Sequence, residues 1–156
     1  MLVNRYRFIL SLCVKLEAQR LRLLQDENMG SATLSGTRIL VADDDAETRA
    51  WLRDALESAG CNIVEAGNGK EAMNLLTQES VDLCMTDLSM PEQEGIETIR
   101  LLRQEYPDLK IIAISGAFGP EFLRVSKILG AAATLQKPIR LQNLLETVQK
   151  LLARPA

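Results

Sequence analysis

Three consecutive aspartates (Asp43, Asp44, Asp45), a fourth at Asp87, a serine at Ser115 and a lysine at Lys137 are the residues here whose types and spacing could do chemistry. Each follows a short apolar run, and such runs bounded by turns read as buried strands of a parallel sheet. Open α/β sheets bind ligands at the carboxyl ends of their strands, so these side chains are expected on one rim. Carboxylates a few ångströms apart repel by about 4 kcal/mol per pair at an effective dielectric near 20. Lys137 alone is insufficient to offset that. A hard divalent cation with oxygen ligands, Mg²⁺, is the natural complement. A metal, a hydroxyl and an ammonium together suit a phosphoryl guest, with Asp87 as the nucleophile that becomes an aspartyl phosphate.

Each residue alone has a plainer reading. The acids at 43–45 could cap a helix and favour its dipole, and Asp45 is expected to do that. Ser115 before Gly116 could be a turn residue, and Lys137 a solvated strand end. Their coincidence at the ends of four predicted strands is what favours a shared site.

The elements that must position them alternate regularly. Strands are expected at Arg38–Ala42, Asn62–Ala66, Val81–Thr86, Lys110–Ser115 and Ala133–Gln136. Helices are expected at Ala46–Ala59, Lys70–Gln78, Ile96–Glu105, Glu121–Leu129 and Leu141–Leu152. Apolar residues at helical spacing, such as Leu52, Ala55, Leu56 and Ala59, mark core-facing sides, and Gly60 and Gly130 stop two helices. Five strands alternating with five helices predict a doubly wound five-stranded parallel sheet, with right-handed crossovers placing every carboxyl end on one rim.

The 156 residues suffice for one domain and a short extension, with 47% apolar and 25% charged residues. There is no histidine, which removes Ser-His hydrolases, histidine general bases and His-ligated zinc. The net charge of -3 gives no reason to expect nucleic acid. Cys13, Cys61 and Cys84 are too far apart for a CxxC pair or a disulfide framework, and a cytoplasmic setting fits.

Residues 1–27 form an expected helical extension, rich in Leu, Arg, Gln and Glu, with Ile9, Leu12, Leu16 and Leu23 at heptad spacing. The apolar run that stops at Lys15 is far short of the ~20 residues of a membrane span. Two readings stay open: a helix that pairs with a partner or makes a homodimer, or one that lies on its own domain. An upstream start codon before a domain beginning at Met29 is a further alternative. Residues 28–36 are small and polar, a flexible linker, and the domain is expected over 37–154.

Taken together, Ile39-Leu40-Val41-Ala42-Asp43-Asp44-Asp45, the run Val81 to Pro91 through Asp87, then Gly95, Ile114-Ser115-Gly116 and Lys137-Pro138-Ile139 resemble a bacterial two-component response-regulator receiver domain. The resemblance spans residues 38 to about 152. It implies a flavodoxin-like fold with strand order 2-1-3-4-5. It also implies that Asp87 takes a phosphoryl group from the phosphohistidine of a sensor histidine kinase or phosphotransfer protein. Asp44, Asp87 and the Ser89 backbone carbonyl would ligate Mg²⁺, with Asp43 acting on the ion through water. Lys137 and Ser115 would hold phosphoryl oxygens, and the Lys137-Pro138 bond is often cis in this family.

Two positions depart from the family pattern. Thr134 stands where a Tyr or Phe ring usually reports the phosphate, and Phe118 or ordering of the loop after the fourth strand is the expected substitute. Gly116 replaces the common alanine. With no output domain seen after Ala153, the expected output is protein contact around the fourth and fifth helices. A phosphorylation-independent adapter is the alternative. A Mg²⁺-dependent phosphatase is disfavoured, because Ser89 stands where such enzymes carry a second acid.

Overall fold

The computed structural model describes residues 16–17, 34–90, 95–116 and 119–153. In chain order these form β1 (Arg38–Ala42), α1 (Ala46–Ser58), β2 (Asn62–Ala66), α2 (Gly69–Gln78), β3 (Leu83–Asp87), α3 (Gly95–Glu105), β4 (Lys110–Ser115), α4 (Gly119–Ile128), β5 (Ala133–Gln136) and α5 (Leu141–Leu152). The five strands make one sheet in the order β2-β1-β3-β4-β5, with every pairing parallel. The doubly wound sheet expected from the alternating pattern is what the chain adopts.

Alternation along the strands builds a core on each face. Ile39 and Val41 of β1, Leu83 and Met85 of β3, and Ile112 and Ile114 of β4 face Leu52, Ala55 and Leu56 of α1 and Leu144, Leu145 and Val148 of α5. Their neighbours Leu40, Ala42, Cys84, Ile111 and Ala113 face Ala72 and Leu76 of α2 and Ile99 and Leu102 of α3. Period-2 side-chain direction thus gives both faces an apolar layer, which is why β3 reads as a continuous apolar run. Burying side chains of this size stabilises by about 1.5–3 kcal/mol each.

Helix ends follow local chemistry. Asp45 caps α1, accepting from the Glu47 and Thr48 amides at 3.0 and 3.3 Å. Gly60 ends that helix with φ +94°, a left-handed conformation that glycine adopts without a Cβ clash. Gly69 opens α2 where a Cβ would lie 2.1 Å from Thr98 Oγ1 of α3, so the two helices approach as only glycine allows.

Besides one-residue shifts at the ends of α1, α2 and α3, the structure differs from expectation in three places. β3 runs over Leu83–Asp87 rather than Val81–Thr86, so Asp87 is itself a strand residue, paired with Ile114. α4 runs over Gly119–Ile128 rather than Glu121–Leu129 and takes in Gly119-Pro120, because proline fits a first helical turn, where no intrahelical amide bond is needed. Leu34, within the stretch expected as linker, is buried in the α1–α5 core, and the Thr37 amide bonds back to its carbonyl. Apolar burial therefore extends three residues upstream of the anticipated domain start. Leu16 and Glu17 are helical and exposed; the rest of the expected extension 1–27 lies outside the described residues, as does Phe118.

Candidate functional site

The carboxyl rim gathers the residues singled out above. β1 ends at Ala42 and delivers Asp43, which is fully buried; β3 ends in Asp87, 2% exposed; β4 ends in Ser115, 2% exposed. β5 ends at Gln136 and delivers Lys137, ahead of a cis Lys137-Pro138 bond. The Lys137 ammonium donates to Asp43 Oδ2 at 2.9 Å and to Asp87 Oδ2 at 2.7 Å, joining the two buried carboxylates. The second oxygen of each is held by backbone: Asp45 N–H donates to Asp43 Oδ1 and Ser89 N–H to Asp87 Oδ1, both at 2.9 Å. Asp44 stays exposed.

One oxygen from each of Asp43, Asp44 and Asp87 lies within 4.8 Å of the others. Two of these three carboxylates share the Lys137 ammonium. Burial pushes the Asp43 carboxyl up, and its bonds to Lys137 and the Asp45 amide only partly oppose this. Burial would lower the Lys137 ammonium, but its hydrogen bonds to Asp43 and Asp87 outweigh that and the net shift is upward. The lysine is therefore a fixed cation.

Ser115 Oγ and Ser89 Oγ are buried without a hydrogen-bond partner. An unsatisfied buried hydroxyl costs about 1–3 kcal/mol, and Ser115 ends β4 while Ser89 follows β3, so both belong to the rim that carries the acids. The oxygen-only acidic cluster fits a hard dication, and the hydroxyls with Lys137 fit a phosphoryl group. Gly116 leaves room for the lysine stem: a Cβ there would sit 3.3 Å from Lys137 Cβ and Cδ. Thr134 is half-buried on β5 and pairs with Ala113.

Sequence reasoning missed Arg49 and Glu65. Arg49 Nη1 donates to the Asp43 carbonyl at 2.6 Å, and Glu65 on β2 pairs with Arg53 Nη1 at 2.7 Å and with Arg49 Nε at 3.6 Å. The signal was present in the i, i+4 arginines of α1 and a carboxylate on the neighbouring strand, but charged edge residues usually read as solvated.

A doubly wound sheet with three acids, a hydroxyl and a lysine on its carboxyl rim defines a class of signalling phosphoacceptor. The chain belongs to the response regulator receiver domain family, whose model matches residues 39–149. It is 38% identical over 115 residues to the response regulator receiver protein CpdR of Brucella abortus (strain 2308), covering 74% of this chain and 96% of that protein. It is 36% identical over 118 residues to the transcriptional regulatory protein CpxR of Escherichia coli (strain K12), covering 75% of this chain and 50% of that one. A high-resolution structure of the chemotaxis response regulator CheY4 of Vibrio cholerae superposes with a TM-score of 0.70 at 28% identity, covering 76% of this chain and all of that one. The protein is accordingly a phosphoacceptor response regulator of a two-component system.

Proposed function

We propose that Asp87 is the phosphoacceptor, taking the phosphoryl group from a sensor histidine kinase or histidine phosphotransfer protein with Mg²⁺ present. The observation that carries this is the position of Asp87 at the end of β3, bonded to Lys137 and grouped with Asp43 and Asp44. An Asp87 carboxylate oxygen attacks phosphorus as the P–N bond of the donor breaks, and the released imidazole keeps the electron pair and takes a proton. Lys137 and Ser115 then donate to the phosphoryl oxygens, and the Ser115 hydroxyl gains the partner it lacks. Asp44, Asp87 and the Ser89 carbonyl would hold the metal, and Asp43 would act on it through water. The exposure of Asp44 supports its share of this role; Asp43 and Asp87 each have one oxygen on Lys137 and one on a backbone amide. When bound, Mg²⁺ neutralises the carboxylates and the charge gathering on the transferred group.

The acyl phosphate hydrolyses slowly by itself, and no external substrate is turned over. Output is by protein contact on the α4–α5 side, where Val125 and Ile128 are exposed, the latter by 76%. The domain is proposed to occupy residues 37–154, with the turn at Leu34 anchoring its start. Residues 1–27 and 28–36 then serve as helical extension and linker; homodimerisation through residues 1–27 is part of the same proposal, and Leu16, helical and exposed, is in keeping with it. The cytoplasm is the expected compartment: Cys61 and Cys84 are free thiols, and among the described residues no helix is long and apolar enough to cross a membrane. Intact-mass analysis with Mg²⁺ and a small acyl-phosphate donor tests the reading. A single phosphoryl adduct, absent in Asp87→Ala, is expected; an unmodified wild-type chain would favour the adapter.

A further inference from the structure

We infer that Arg49 is a positioning residue of the acidic site, holding the peptide between Asp43 and Asp44 so that the Asp44 carboxylate meets a divalent cation together with Asp87. The inference rests on the metal reading above. Asp44 is exposed, and among the described residues its carboxylate makes no hydrogen bond or ion pair. Where that carboxylate sits is therefore set by its backbone. The peptide plane entering Asp44 carries the Asp43 carbonyl, and Arg49 Nη1 donates to that oxygen at 2.6 Å. A hydrogen bond from a charged donor is worth about 1.5–3 kcal/mol, enough to hold one peptide orientation over its alternatives.

The guanidinium is itself braced. Its Nε lies 3.6 Å from Glu65 Oε1, and Glu65 Oε2 is held at 2.7 Å by Arg53, one turn further along α1. The rest of Asp43 is tied on every side, by Ala66 O at its amide, Asp45 N at Oδ1 and Lys137 at Oδ2. Arg49 supplies the remaining restraint, on the carbonyl that points the chain into Asp44. A chain of contacts thus runs from edge strand β2 through Glu65 and Arg49 to the peptide that leads into Asp44.

The alternatives differ in sign. If Arg49 mattered as a nearby positive charge, removing it would tighten cation binding. If it only braced α1 against β2, cation affinity would not change.

Isothermal titration of Mg²⁺ into the metal-free full chain, with thermal melts in chelator, separates these cases. Arg49→Ala is expected to bind Mg²⁺ about tenfold more weakly, the usual effect of losing a group that orients a ligand. Arg49→Lys, which keeps a charged donor on a stem one atom shorter, is expected to recover part of that loss. Arg53→Ala, which removes the tighter ion pair to Glu65 but no contact to Asp43, is expected to lose less affinity than Arg49→Ala even where its melting temperature falls as far. If Arg49→Ala does not fold, Arg49→Gln, too short to make the same bond, is read in its place with the same expectation. Wild-type or tighter affinity in the deciding variant overturns the inference while leaving the metal site standing. Absence of Mg²⁺ binding by the wild-type chain overturns the metal reading and the inference together.

Discussion

Removing the charge of Lys137 should cost more stability than any ordinary surface substitution, and the cost should depend on Mg²⁺. Its ammonium donates to Asp43 at 2.9 Å and to Asp87 at 2.7 Å, and both carboxylates are buried. Lys137→Met keeps an unbranched stem and deletes both charge-assisted bonds. Breaking a buried pair by removing one partner costs about 3–5 kcal/mol, because the remaining charge is stranded. Here two carboxylates are stranded, but either can take up a proton, which caps the loss near that range. With about 3–5 °C per kcal/mol for a domain of this size, melting in chelator at neutral pH should fall by roughly 10–20 °C. A cation at a hundred times its dissociation constant returns about 2.7 kcal/mol, and a site of three acids without its lysine should bind it more tightly than wild type. Mg²⁺ should therefore raise the variant's melting temperature more than the wild type's.

The pH dependence follows from two upward shifts. A raised Lys137 contributes stability that is complete below its unfolded value of 10.5 and is lost as pH rises through its higher folded value. Wild type should then lose this increment in strong alkali, and Lys137→Met should not. Asp43 is raised mainly by burial, so its ionisation costs stability, and the variant's deficit should shrink as acid protonates it. Calorimetry or circular-dichroism melts of both proteins, with chelator and with Mg²⁺, provide the assay. A variant that melts within about 1–2 °C of wild type in chelator at pH 7 would refute the electrostatic account.

Two further predictions concern packing and thiol chemistry. Gly69→Ala should destabilise by about 1–3 kcal/mol despite alanine's better helix propensity, because its Cβ would meet Thr98 Oγ1 at 2.1 Å. In a double-mutant cycle by urea melts, Thr98→Ala should relieve most of that penalty; strict additivity would contradict the clash. Burial pushes the Cys84 thiol up to about 12 and the Cys61 thiol up to about 11, so neither should react with iodoacetamide at pH 8 in the folded protein. Labelling of Cys84 in native buffer at the rate seen in denaturant would count against its enclosure.

Much of this architecture was legible because the fold repeats one simple pattern. β1, β2, β4, β5 and α5 begin and end where their apolar periodicity and flanking turns put them. β3 was harder to delimit. Buried on both faces, it lacks the alternation that would mark its start, and Val81 and Asp82 read like the residues that follow. Asp82 is instead a junction, its amide bonded to the Arg38 carbonyl and its carboxylate to the Arg38 amide. Leu34 escaped because a single apolar residue among Ser, Thr and Gly carries no period. Asp43, Asp44, Asp87, Ser115 and Lys137 were legible because parallel topology sends every strand's carboxyl end to the same rim. Arg49 was not, since its role lies in bonding a carbonyl, and no residue type announces that.

The central claim, that the Asp87 carboxylate forms the bond to phosphorus, can be tested most directly by reductive trapping. The protein is incubated with Mg²⁺ and a small acyl-phosphate donor, treated with borohydride to reduce the acyl phosphate, digested, and mapped by tandem mass spectrometry. Conversion of Asp87 alone to homoserine, lost when chelator replaces Mg²⁺, is the predicted result. Conversion at Asp43 or Asp44, or an unmodified Asp87 beside a phosphorylated serine, would contradict it.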